Sequence, residues 1–164
     1  MSLAQLLLKH RENLLDQWLD AVYPLSTDGP FGHKTKTFFK GPMGRTLSDA
    51  LANLFDHILA EEDSRSLATD MDQAIRVLAV QELLPSQAAG FLFPLKALVR
   101  GLARKAELDL SEELNGFDHL LDQLTRIGFD IYSKAREELY MIQIEEQKRQ
   151  TEGVFRLANK RGSL

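Results

Sequence analysis

From Leu114 onward an apolar or small residue returns every three or four positions: Phe117, Leu121, Leu124, Gly128, Ile131, Ala135, Leu139 and Ile142. That is the period of one face of an α-helix, sustained far beyond an ordinary helix. Ser111 predicts its N-cap, and Glu112 and Glu113 favour its positive end. If the pattern holds to Gln150, the helix is about 60 Å long at 1.5 Å per residue. A single domain of 164 residues is only about 30–40 Å across. Part of this helix must therefore project, or pack against another chain. Ile142 to Gln147 is a poor core sequence and suits an exposed or coiled-coil stretch. Gly153 is expected to break the helix before an amphipathic tail of Val154, Phe155, Arg156 and Leu157, which Lys160 and Arg161 make basic.

The remainder reads as shorter helices. Leu7, Leu14, Leu15, Trp18, Leu19 and Val22 form one stripe of a first helix over residues 3–23, stopped by Pro24. Residues 24–33 are a loop by composition, and His33 to Lys40 suggest a helical turn. Gly41-Pro42-Met43-Gly44 predicts a second break, with a helix capped by Thr46 after it. Glu61, Glu62 and Asp63 oppose the C-terminal dipole, so a break follows around Ser64–Ser66. The next helix spans about Leu67 to Leu83. Pro85 suits the first position of another, and Gln87 can reach back to its start. Pro94 lies inside this last one and predicts a kink at Gly90–Phe91. No period-2 stretch bounded by turn residues emerges. The fold class expected is all-α, a helical bundle with a long C-terminal helix: residues 1–142 a helical domain, residues 143–164 a projecting helix end and basic tail.

Composition narrows the function. The net charge of −4 argues against nucleic-acid binding over the whole surface. With no cysteine, disulfides, thiolate zinc sites, iron–sulfur clusters and cysteine nucleophiles are excluded. No apolar run approaches the roughly 20 residues of a membrane span, and the first residues do not read as a signal peptide. A cytoplasmic location is expected, with any membrane contact at most peripheral.

Residues 71–100 read MDQAIRVLAVQELLPSQAAGFLFPLKALVR. This resembles the N-terminal input domain of the RsbT co-antagonist (RsbR/RsbRD) family. There a helix ending in R-x-x-A-x-Q precedes a P-S-Q-A-x-G-F segment and an apolar helix. The matching residues are Arg76, Ala79 and Gln81, then Pro85, Ser86, Gln87, Ala88, Gly90 and Phe91. Trp18 in the first helix and the Gly41–Gly44 turn agree more weakly. Leu84 departs from the pattern, since the family tends to place a capping serine there; Pro94 is a second departure. The resemblance implies a globin-related or bundle-type input module that dimerises and binds no haem, so no cofactor is expected. It implies an output domain as well, for which no room remains before Leu164, so a stand-alone sensor acting through a partner is expected.

Within that motif Arg76, Gln81, Ser86, Gln87 and Phe91 are candidates for a ligand pocket or dimer contact. Capping of a helix start accounts for Ser86 and Gln87 equally well. His10, His33, His57 and His119 share no metal-ligand spacing, so no metal site is expected; His57 and His119 are the two near apolar stripes. Neither a nucleophile elbow nor a phosphate loop is present, and the carboxylates of Glu61 to Asp63 lack a cleft to shift them. No catalytic residue is assigned. The expected function is a non-enzymatic, homodimeric sensor in stress-response signalling, answering a ligand or stress input through helix packing. Two alternatives stand beside it. One is an accessory protein binding an unknown partner, such as a membrane-associated redox complex, through Val154, Phe155, Arg156 and Leu157. The other is a globin-like binder of haem or a small molecule.

Overall fold

The computed structural model describes residues 1–22, 42–61, 63–81 and 83–161. Among them all regular structure is helical: α1 (Leu3–Lys9), α2 (Arg11–Val22), α3 (Pro42–Leu59), α4 (Ser64–Ala79), α5 (Pro85–Ala89), a 3-10 turn (Gly90–Leu92), α6 (Phe93–Lys105) and α7 (Ser111–Arg161). The expected all-α bundle with a long final helix is what forms. Among the described residues no helix is long and apolar enough to cross a membrane. The loop expected at residues 24–33, its stop at Pro24 and the turn at His33 to Lys40 lie outside the described residues.

Several helix ends differ from the pattern reading, each for a local reason. The single first helix is two. His10 leaves helical geometry at φ −111°, and its N–H turns back to the carbonyls of α1. Ser2 and Gln5 close a capping box at the start of α1. Of the break expected at Gly41–Gly44, Gly41 lies outside the described residues and Pro42, Met43 and Gly44 are helical: α3 begins at Pro42, where the missing N–H costs nothing. Thr46 is therefore no cap, and its hydroxyl donates to the Pro42 carbonyl at 3.0 Å. The acidic run does not merely end α3. The Asp63 carboxylate accepts the N–H groups of Arg65 and Ser66, so α4 starts at Ser64 rather than Leu67. It also ends at Ala79, short of Leu83. Ser111 is the first residue of α7 and not its cap; its N–H and hydroxyl both donate to Asp109.

The kink is where Pro94 placed it. α5 ends at Ala89, a 3-10 turn covers Gly90–Leu92, and α6 resumes at Phe93. Gly153, by contrast, does not break α7, which runs unbroken for 51 residues to Arg161. A glycine inside a helix costs only about 1 kcal/mol, less than a whole anchored helix supplies. At 1.5 Å per residue α7 is about 76 Å long.

The helices pack as α3 on α4, α4 and α5 on α7, and α2 on α6. Trp18, Phe55 and Phe91 are the largest side chains with no exposure, and Leu51, Leu54, Met71, Ile75 and Leu78 fill the space between α3, α4 and α7. Gly128 lets α7 lie close on α4: a Cβ there would stand 2.7 Å from the Met71 methyl. A forked Arg11–Asp56 pair, 2.6 Å on both arms, ties α2 to α3. Asp56 holds the Arg11 guanidinium above its ordinary pKa by hydrogen bonding. Among the described side chains Ala135 is the last buried one of α7, and from Tyr140 to Leu157 every residue is exposed.

Candidate functional site

The turn after α4 leaves carbonyls that the helix itself cannot satisfy. α7 supplies the donors. Tyr132 donates its hydroxyl to the Leu83 carbonyl at 2.5 Å, and Arg136 donates to the Ala79 carbonyl at 3.0 Å. One helical turn below the junction, Arg76 of α4 bridges Asp72 of its own helix (2.8 Å) and Glu138 of α7 (3.2 Å). Three contacts thus join residues 76–83 to residues 132–138. Tyr132 is buried, and burial raises its pKa. The Arg76 guanidinium is held above its ordinary value by hydrogen bonds to Asp72 first and Glu138 second. Arg136 also donates to the Tyr140 hydroxyl at 2.9 Å, and its guanidinium sits 4.9 Å from that ring's centre. Tyr132, Arg136 and Tyr140 are spaced four apart and so stack on one side of α7.

Next along the chain the motif turns inward. Gln87 accepts the Leu84 N–H at 3.0 Å and so begins α5 in place of the absent serine cap. Phe91 stacks on Trp18 with ring centres 6.1 Å apart and planes 13° from parallel. The Trp18 indole N–H donates to the Phe91 carbonyl at 2.8 Å. The interrupted stretch is thereby pinned to α2.

Two concavities flank this path. An open, almost wholly apolar groove is lined by Leu84, Pro85, Ser86, Ala89, Phe93 and Phe129. Leu84, Phe93 and Phe129 are each at least half exposed there. A separate cleft of about 290 Å³ lies between α1, α3 and the start of α7, with Leu3, Leu7, Ile58 and Phe117 among its lining. Glu113 beside it accepts the Leu3 N–H at 2.7 Å.

The five motif residues singled out in the sequence therefore lie along one path and not around one cavity. Arg76 is exposed and bound to α7. Gln81 is half-buried in the turn, its N–H bonded to the Leu78 carbonyl at 3.1 Å. Ser86 lines the groove, Gln87 caps α5, and Phe91 is in the core. At the far end Val154, Phe155 and Leu157 stand about two thirds exposed, with Arg156 exposed between them. The pattern reading missed Tyr132, Arg136, Glu138 and Tyr140. Tyr132, Arg136 and Tyr140 recur at four-residue spacing, which marks one side of a helix but not what that side meets; Glu138 falls outside that spacing.

Of the histidines, His57 holds the buried Asp70 carboxylate through Nδ1 at 2.6 Å, joining α3 to α4. His119 is exposed and meets Gln123 one turn on. His10 closes α1, and His33 lies outside the described residues. Among the described residues no group of three or more histidines and carboxylates is placed to hold a metal ion.

Compared with known proteins, residues 12–147 match the family model described as the RsbT co-antagonist protein rsbRD N-terminal domain. No curated protein and no solved structure matches the chain.

Proposed function

The chain belongs to the RsbT co-antagonist protein rsbRD N-terminal domain family, a family of regulatory input domains, and from that premise we propose that it is a non-enzymatic sensor whose output is carried by α7. The observation that supports this most is the triple attachment of residues 76–83 to α7 through Arg76–Glu138, Arg136–Ala79 and Tyr132–Leu83. The segment that distinguishes the family is fastened to the one element that, among the described residues, leaves the body. A ligand or stress input that changes the packing of α4 to α6 has differential affinity for two arrangements, and only that difference can shift them. The 3-10 turn at Gly90–Leu92, bonded to Trp18, is the interruption at which such a change of packing is read. In this reading the sensor works as a homodimer, and the rod passes the change to a second molecule.

Arg136→Ala tests the relay. Hydrogen exchange read by mass spectrometry should quicken together in peptides covering residues 76–89 and in peptides covering 136–150. Quickening confined to one of the two regions would remove the relay. The sensing half is read from Trp18, the only tryptophan. A small-molecule library screened by thermal shift should yield a ligand that also changes Trp18 emission. Stabilising ligands that leave that emission unchanged would place sensing elsewhere.

A second reading rests on the exposed Val154, Phe155 and Leu157 beside basic residues. There the tip docks an acidic partner and the body is only a support. Deleting residues 143–164 separates the two: the accessory reading expects partner capture to vanish while the core stays folded, with no ligand that changes Trp18 emission.

A further inference from the structure

The cleft between α1, α3 and the start of α7 has no part in the relay, and its lining is of two kinds. Leu7, Ile58 and Phe117, all buried, form apolar walls. Glu61 and Glu113, both exposed, add two carboxylates at its mouth. Neither has an ion-pair partner among the described residues. Glu113 accepts the Leu3 N–H through Oε2 at 2.7 Å. A carboxylate has two oxygens with about four acceptor sites, so Glu113 keeps capacity for a second donor.

Two positions around the cleft run against their own backbone. Glu61 stands at φ 52°, in the left-handed region that glycine adopts without strain. A glycine would turn the chain after α3 at less cost and would leave the cleft one carboxylate short. Gly116 is the converse. It lies in the first turns of α7, where alanine or leucine would favour the helix. Its φ is not positive, and a Cβ there would meet nothing within 4 Å. Neither turn geometry nor close packing requires this glycine. What its missing side chain leaves is open space at the cleft.

Volume and charge then select the occupant. About 290 Å³ lies at the lower end of the roughly 300–1,000 Å³ of ordinary ligand pockets, so the occupant is small. Ionised carboxylates only accept, so its head must donate, and the walls require an apolar body. An ammonium group brings three donors and a positive charge. A bare metal ion fits less well, since the apolar walls give it no ligand and no group of three or more histidines and carboxylates is placed to hold one among the described residues.

We propose that this cleft binds a small organic ammonium, its head held by Glu61 and Glu113 and its apolar or aromatic body laid against Leu7, Ile58 and Phe117. The site goes beyond the relay reading and does not rest on it.

The probes are 2-phenylethylamine and two analogues of nearly the same shape, 2-phenylethanol and 3-phenylpropionate. Methyl NMR titration of the full chain near neutral pH and at low salt reads location and affinity together. The amine should shift the Leu7 and Ile58 methyls saturably. The alcohol should bind about tenfold or more weakly for want of charge, and the anion should not bind. Glu61→Gln combined with Glu113→Gln should weaken the amine by about tenfold or more. Both changes keep the side-chain shape, and a glutamine carbonyl still accepts the Leu3 N–H. Gly116→Leu should melt no lower than wild type, because leucine favours the helix and its Cβ meets nothing. It should nevertheless abolish binding by filling the cleft. Equal binding of the three probes overturns the proposal, as does amine binding that survives the paired glutamine substitution or Gly116→Leu. Shifts at the Leu84 methyls in place of Leu7 and Ile58 would move the amine to the apolar groove and also overturn it. So would an amine that shifts nothing up to tens of millimolar. An amine that binds in the cleft with Trp18 emission unchanged establishes the site and leaves the relay's input elsewhere. Loss of the coupling read by Arg136→Ala removes the relay and leaves the site.

Discussion

The two halves of α7 share one unbroken helix and little else. From Ser111 to Leu139 one side is pressed into the body through Phe117, Leu121, Leu124, Tyr132 and Ala135. From Tyr140 to Leu157 every side chain is exposed. The first half is helical because its apolar face has somewhere to go. The second half has only local support, such as the Arg149–Glu146 pair and the Gln150–Glu146 hydrogen bond. Such pairs contribute about 0.2–0.5 kcal/mol each. An isolated helix of that length is marginal in water. Here the anchored half supplies the nucleus, so each added residue needs only the favourable propagation step. A helix that stays ordered without packing is available to pack on something else, as the proposed function requires.

The sharpest way to break this contrast is to remove the same kind of group from each half. Leu121→Ala empties a fully buried site and should cost about 2–5 kcal/mol. At roughly 2–4 °C per kcal/mol for a chain of this size, the melting temperature falls by about 4–20 °C. Ile142→Ala removes a side chain 61% exposed and should stay within about 0.5 kcal/mol of wild type in the monomeric protein. Equal losses by calorimetry would show that the projecting half is packed after all.

Gly128 sharpens the same comparison from the side of fit. A Cβ there stands 2.7 Å from the Met71 Cε and 3.5 Å from the Ile75 Cδ1. Gly128→Val should therefore cost about 1–3 kcal/mol by overpacking. Gly128→Ala should cost less, because the Met71 methyl is the end of a flexible chain and alanine favours the helix. Urea denaturation of the two variants should rank them in that order. The reverse order would mean that α7 does not sit close on α4.

Tyr132→Phe removes one buried donor and leaves the Leu83 carbonyl unpaired, a loss of about 1 kcal/mol. It also carries a pH signature. Burial raises the Tyr132 pKa above its ordinary 10.0. The fold therefore prefers the neutral phenol, and the unfolded chain loses its proton first as pH rises. The stability this group contributes is fully present below pH 10 and is lost as pH climbs through the folded value. Wild type should lose stability in that alkaline window more steeply than Tyr132→Phe in denaturation at successive pH values. Parallel curves would mean that Tyr132 is already solvated and grips nothing.

What the sequence disclosed follows from which signals are local. Periodicity revealed the stripe of α7, and proline chemistry revealed the interruption at Gly90–Phe91, because both act within one turn. Helix ends were harder. α3 and α6 are followed by Glu61 at φ 52° and Glu107 at φ 54°, left-handed positions where glycine would have advertised the stop. Asp63 read as a poor ending and is instead the cap of the next helix. The motif residues Arg76 to Phe91 could be found by resemblance. Their partners Tyr132, Arg136 and Glu138 lie some fifty to sixty residues on and touch them only through the fold. Pairings across such a distance leave no mark on local spacing.

The smallest effect is also the one that asks most of the contrast. Gly153 lies in the exposed half, with nothing within 4 Å of where a Cβ would stand. Gly153→Ala therefore changes only helix propensity, by about 1 kcal/mol in favour of the helix. If the projecting half opens independently of the body, that gain appears where the half itself opens. Amide exchange across residues 145–161 should slow up to about fivefold, since 1.4 kcal/mol is a factor of ten. The melting temperature of the body should not move, because the body unfolds with or without its extension. A rise of about 2–4 °C would instead mean that the rod and the body unfold as one cooperative unit. The rod would then be coupled to the core at rest and would need no partner to hold its shape. Unchanged melting with slowed exchange leaves it as an ordered but independent arm.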